Sequence, residues 1–180
     1  MGIWVNEKPD FETLVLPHLD AGYNLARWLL RDEAAAEDVT QEASIRAMRY
    51  FDSLKGDAAR PWFLGIVRNA CYSHIKLRRE ALEVPGFDDD AIDDLQALAG
   101  QTTPDPATLF ARQRDRLQID AALRALPPPL REVIVLREME GLEYAEIAQV
   151  AMIPMGTVMS RLSRGRARLK ILLTQVGMDR

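Results

Sequence analysis

Along most of this 180-residue chain, apolar residues recur at the three-and-four spacing of a helix. Residues 10–31 read as one helix or as two joined at Pro17, with Leu14, Leu19, Leu25, Trp28 and Leu29 feeding a core. Asp32 is placed to cap a second helix from Glu33 to about Asp52, whose broad apolar stripe is Val39, Ala43, Ala47, Tyr50 and Leu54. A loop around Gly56 leads to a third helix, Pro61 to about Arg79, with Phe63, Ile66, Val67, Ala70, His74 and Leu77 facing inward and Cys71 at their margin. The pattern then lapses. From Glu80 to Pro106 there is no more than a short turn near 92–98, amid Pro85, Gly86, Gly100, Pro104 and Pro106. It resumes over 107–126 with Leu109, Phe110, Leu117, Ala121 and Leu123, breaks at Pro127–Pro129, and continues from Leu130 to Glu140, where Gly141 ends it.

Two further helices, Tyr144–Ala151 and Met155–Leu172, are joined by a turn short enough to set them at a steep angle, and Val176–Arg180 is expected to fray. At about 100° per residue, Val158, Leu162, Gly165, Leu169 and Leu172 share one side of the last helix. Thr157, Arg161, Arg164 and Arg168 are expected on the opposite side, with Ser160 at its edge. A packed face backed by guanidiniums and hydroxyls suits a helix-turn-helix reader, because arginine grips guanine edges bidentately and serine or threonine bonds to phosphates or bases. The plain alternative is a solvated basic face. The steep turn and the lack of any acid on that face favour DNA.

Composition fits a globular chain, 48% apolar and 28% charged. Cys71 is the single cysteine, so no internal disulfide forms and a cytoplasmic setting is expected. The two histidines, His18 and His74, make no metal-ligand spacing. No phosphate loop or nucleophile elbow is present, no run is long enough to span a bilayer, and the first residues lack a signal-peptide layout. An enzyme, a cofactor and a membrane protein are therefore not expected. The net charge of −4 disguises a sharp segregation. Arg60, Arg68, Lys76, Arg78 and Arg79 form one acid-free basic block, and Arg161, Arg164, Arg166, Arg168 and Lys170 form another. Between them, 80–111 carries Glu80, Glu83, Asp88, Asp89, Asp90, Asp93, Asp94 and Asp105 without a lysine or arginine. Such a stretch reads as a solvated tether, or as an imitation of nucleic acid lying over a basic surface.

Two more faces carry chemistry. On the second helix, Ile45 and Met48 lie away from the core stripe, bordered by Asp38, Gln41, Glu42, Arg49 and Asp52. They are either scattered exposed hydrophobes or the apolar centre of a docking face with a charged rim. On the third helix, Arg68, Asn69, Tyr72, Lys76 and Arg79 share an outer side with Trp62 near its start. Cations neutralise phosphates and rings stack splayed bases, so this face suits an unpaired strand, with Trp62 serving either there or in the core.

The stretches 36–51 (AEDVTQEASIRAMRYF), 59–79 (ARPWFLGIVRNACYSHIKLRR) and 126–170, in that order and at that separation, resemble bacterial RNA polymerase sigma factors of the extracytoplasmic-function type. The resemblance implies an all-α fold in three parts: a helical domain over 1–80, an acidic linker over 81–106 and a helix-turn-helix domain over 107–180. It implies that Asp38, Gln41, Glu42, Ile45, Arg46 and Met48 dock on the clamp of core polymerase. Trp62, Arg68, Asn69, Tyr72, Lys76 and Arg79 would engage the minus-ten element as it opens, and Thr157, Ser160, Arg161, Arg164 and Arg168 the minus-thirty-five duplex. The linker would thread toward the polymerase's active-site and RNA-exit channel. An anti-sigma protein is the further partner implied. Three positions depart from the family pattern or strain the helix: Met152 where the turn often has glycine, Glu143 at the usual Ser or Thr cap, and Gly165 inside a helix. Competing readings are a freestanding helix-turn-helix regulator, a sigma-like decoy for an anti-sigma protein and an RNA-binding helical protein.

Overall fold

The computed structural model describes residues 10–56, 58–81 and 110–178, and among them all regular structure is helical. Side chains are described except at Arg79, 110–116 and 175–178. The linker expected at 81–106, with its turn near 92–98, falls outside the described residues from 82 onward, as does Leu109. The chain divides into two compact units, 1–76 and 77–180.

The first unit begins at Asp10, whose carboxylate accepts the Thr13 backbone N–H at 2.8 Å and caps α1, Phe11–Leu14. The hydrogen bonds from Thr13 hold this carboxyl below the ordinary aspartate pKa. Pro17 sits in a 3-10 turn, Leu16–His18, that redirects the chain into α2, Leu19–Leu30, so the bend lies at the proline as its missing N–H requires. His18 is half-buried, and that desolvation, with Arg60 nearby, keeps its imidazole below the ordinary histidine pKa. Arg31 ends α2 in the left-handed region (φ 57°), and Asp32 then caps α3, Glu33–Arg49, by accepting the Ala35 N–H at 3.1 Å.

The buried side of α3 is built from small residues, Ala36, Val39, Thr40, Ala43 and Ala47, which lets α2 pack close against it. Thr40 satisfies its buried hydroxyl on the Ala36 carbonyl at 2.7 Å. Tyr50 does not join this stripe. The helix ends at Arg49, Tyr50 takes a non-helical backbone, and its ring is 64% exposed. A long helix α4, Ala59–Ala81, supplies Phe63, Leu64, Val67 and Cys71, all fully buried. Gly22 admits α4: a Cβ there would lie 2.7 Å from Phe63 Cε1. Leu77, expected inside, is 65% exposed; it lies in the last turns of α4, after Cys71, the last buried side chain among that helix's described residues.

In the second unit, α5 (Phe110–Arg124) is followed by extended Pro127 and by α6, Pro128–Ile134, which starts on a proline as a first helical turn permits. Leu117 and Ala121, expected in the core, are exposed; Leu123 is buried as expected, with Ala122 beside it. The helix foreseen to Glu140 widens into a π-helical turn at Val135–Met139, and Gly141 (φ 66°) closes it. Helices α7, Tyr144–Ala151, and α8, Met155–Met178, form the steep pair; α8 runs past its expected end near Leu172 and through residues expected to fray. Gly165 is a packing glycine: a Cβ would stand 2.9 Å from Ile134 Cγ1, so the helix-weakening residue allows α8 to lie directly against α6. Arg131 is wholly buried, its Nη1 donating to the carbonyls of Arg124 at 3.1 Å and Leu126 at 3.4 Å. It thereby satisfies the C-terminal end of α5, where helices leave carbonyls without partners.

Met152 ends α7 at φ 53°, the left-handed conformation glycine favours, with its side chain 67% exposed. Met152→Gly removes the Cβ clash there while sacrificing little packing, so the second unit is expected to gain about 0.5–1 kcal/mol, read as a higher urea midpoint.

Candidate nucleic-acid interface

Polar contacts link the start of α7 to the turn before it and that turn to α8, beside the packing of Val158, Leu162 and Gly165. Glu143 and Glu146 form a capping box, the Glu143 N–H donating to Glu146 Oε2 at 2.7 Å, so glutamate replaces the usual Ser or Thr without loss of the cap. Arg137, on the π-helical turn, donates to the Leu142 carbonyl at 2.7 Å, pairs with Glu143 at 3.0 Å and lies over the Tyr144 ring at 5.2 Å. From α8, Arg166 reaches back to Glu138 Oε1 with two N–H groups at 2.9 and 2.7 Å. The Glu138 hydrogen bond, and a second with Tyr144, hold the guanidinium above its ordinary pKa. One of the five cations of the second basic block is thus committed inside the unit.

With α8 held in this way, Val158, Leu162 and Gly165 are buried, and Thr157 and Arg161 lie half-buried on their flank. The exposed face lies opposite the buried side, where 100° per residue places it, and it presents Met159, Ser160, Ser163, Arg164 and Ala167, with Arg168 at its edge; Thr157 and Arg161, expected opposite the apolar side, fall on its flank instead. Arg164 lies along the helix, Nε donating to the Ser160 carbonyl at 3.3 Å and Nη2 at 3.5 Å from Ser160 Oγ. Of the expected readers, Ser160, Arg164 and Arg168 stand outward, while Thr157 and Arg161 stand at the margin. Met159 and Ser163, not among the expected readers, also stand on this face; turning 100° per residue from Val158 puts Ser163 within about 40° of the point opposite the apolar side, so the spacing itself carried that signal.

On α4, Arg68 and Tyr72 are half-buried, one helical turn apart, with the guanidinium carbon 4.4 Å from the ring centroid. Asn69 and Lys76 are exposed, and Trp62 is half-buried. The side chain of Arg79 lies outside the described residues. The result is a planar cation stacked on a ring, an amide and an ammonium along one side of a helix. On α3, Asp38, Gln41, Glu42, Ile45, Arg46 and Met48 are all exposed, with Ile45 at 44% and Met48 at 60%. Their three-and-four spacing makes one stripe, apolar toward its C-terminal end and charged around it, with Arg46 bonded to Glu42.

Residues 14–80 match the family Sigma-70 region 2, and residues 116–169 match Sigma-70, region 4. The sigma-H factor of Pseudomonas aeruginosa is 33% identical over 166 residues, covering 89% of this chain and 84% of that one. The chain belongs to the extracytoplasmic-function sigma factors. The sigma factor SigE of Mycolicibacterium smegmatis is 32% identical over 167 residues; the match takes in 93% of this chain and 63% of that relative's length. Among solved structures, this sigma factor is similar to RpoE of Bartonella quintana, crystallised with the anti-sigma factor NepR, with a TM-score of 0.73, 28% identity and coverage of 92% of this chain and 97% of that one. Sigma factors of this family direct RNA polymerase to promoters for transcription initiation. Among the described residues, no helix is long and apolar enough to cross a membrane.

Proposed function

We propose that this sigma factor acts in the cytoplasm as three linked parts: a core-docking and minus-ten domain at 1–80, an acidic tether at 81–106 and a minus-thirty-five domain at 107–180. Asp38, Gln41, Glu42, Ile45, Arg46 and Met48 dock on the polymerase clamp. Trp62, Arg68, Asn69, Tyr72, Lys76 and Arg79 capture the unpaired minus-ten strand, offsetting the cost of opening it by stacking and phosphate neutralisation, about 1–3 kcal/mol per stacked base. Helix α8 reads the upstream duplex through Ser160, Arg164 and Arg168, with Thr157 and Arg161 at the rim. The observation carrying this reading is that the region 2 and region 4 matches fall largely on separate compact units, each with its own exposed, cation-bearing helix. Each face alone is small and the chain is net negative, so DNA is held well only when polymerase presents both faces at promoter spacing. An anti-sigma protein is the expected regulator, in keeping with the complex in which RpoE was crystallised.

Promoter-dependent transcription by core polymerase, with and without this chain, tests the whole reading; equal initiation in both reactions overturns it. Within it, Arg164→Ala is expected to cost the holoenzyme about 1–3 kcal/mol of affinity for its matched upstream duplex, more than Arg161→Ala does. Competition binding against a scrambled duplex checks this ranking.

A further inference from the structure

Three of the seven methionines of the chain, Met152, Met155 and Met159, fall within eight residues at the turn and at the start of α8, and all three are about half or more exposed. Scattered exposed hydrophobes need no explanation, but these gather at the N-terminal end of a helix that carries outward serines and arginines. Met155 and Met159 are four residues apart, so they stack one above the other along α8. Met159 is exposed, as are Ser160, Ser163 and Arg164, and Ser163 stands one turn on from it along the same side of α8. A ligand wide enough to touch Ser160 and Ser163 also reaches Met159.

A thioether has no hydrogen to donate and is a weak acceptor, so it does not engage phosphates or the polar edges of bases. In the major groove one base edge is apolar: the C5-methyl group of thymine. A long, unbranched, polarizable side chain fits such a small irregular target. We infer that Met159, supported by Met155, is a specificity-determining residue of this sigma factor that selects thymine in the upstream promoter element by covering its methyl group, next to polar readout by Ser160 and Arg164. The inference rests on α8 being the duplex reader.

The test uses the holoenzyme and a duplex selected by it from a pool randomised in the upstream element. Each thymine of the selected element is then replaced by uracil, which removes the methyl and leaves every hydrogen-bonding group. The expected result is a selected element containing thymine, with about fourfold weaker binding for each covered methyl that is removed. Met159→Ala is expected to bind the thymine and uracil duplexes equally, and Met159→Leu to restore the difference; both variants change one exposed side chain, and unchanged melting confirms intact folding. If the wild type distinguishes selected from scrambled duplex yet ignores uracil, the methionine assignment fails while α8 remains the reader. If it distinguishes nothing, both fail.

Discussion

Arg131→Ala is expected to destabilise the second unit by about 3–5 kcal/mol, enough to unfold it under conditions where the first unit stays native. The guanidinium is wholly buried, and its Nη1 serves the carbonyls of Arg124 and Leu126. Truncation strands buried acceptors, each costing about 1–3 kcal/mol, and leaves a cavity beneath α5. Arg131→Met fills much of that space without restoring a donor, so it should recover the packing part of the loss only. Trp4, Trp28 and Trp62 all lie in the first unit, so tryptophan fluorescence reports that unit alone while circular dichroism reports both. The expected signature is a dichroism transition at lower urea with an unmoved fluorescence transition. A fluorescence midpoint that shifts equally would mean that the two units do not melt separately.

The second large effect concerns assembly. The double variant Ile45→Ala, Met48→Ala should weaken binding to core polymerase by about 2–4 kcal/mol, roughly 30-fold to 1,000-fold. Both side chains are exposed and make no contribution to the core of α3, so the fold is expected to melt as the wild type does. They are the apolar centre of a stripe whose remaining members are charged or polar, and binding energy at such patches concentrates in the desolvated middle. Glu42→Ala, at the rim, should cost under about 1 kcal/mol, since its exposed pairing with Arg46 is screened by solvent. Equal polymerase affinity for the double variant and the wild type would remove the docking assignment from α3.

Much of this architecture was legible because some residues have few physical options. Asp32 before a periodic run, Pro17 within one, Gly141 after one and Pro154 between two each fix a boundary through a cap, a missing N–H or a positive φ. The rest depended on partners that a linear chain does not display. Tyr50 follows the stripe in sequence but falls one residue beyond the helix, where the phase no longer holds. Leu77 keeps the phase, yet it is exposed, since α4 runs on past its last buried side chain. Arg131 looks like a surface cation until the end of α5 is seen to lie over it. On α8, Arg161 is half-buried and Arg166 is tied to Glu138, so two of the five cations are drawn away from the outward side; the helix phase accounts for Arg161, and a partner distant in sequence for Arg166.

The tie between Arg166 and Glu138 is itself half open to solvent. Added electrolyte therefore acts twice: it refills the ion atmosphere that DNA sheds on binding, and it slackens the strut that keeps the reader at its pitch. A plot of log affinity against log salt would fall more steeply than the touching cations account for. Read at face value, it would credit this protein with more phosphate contacts than it makes.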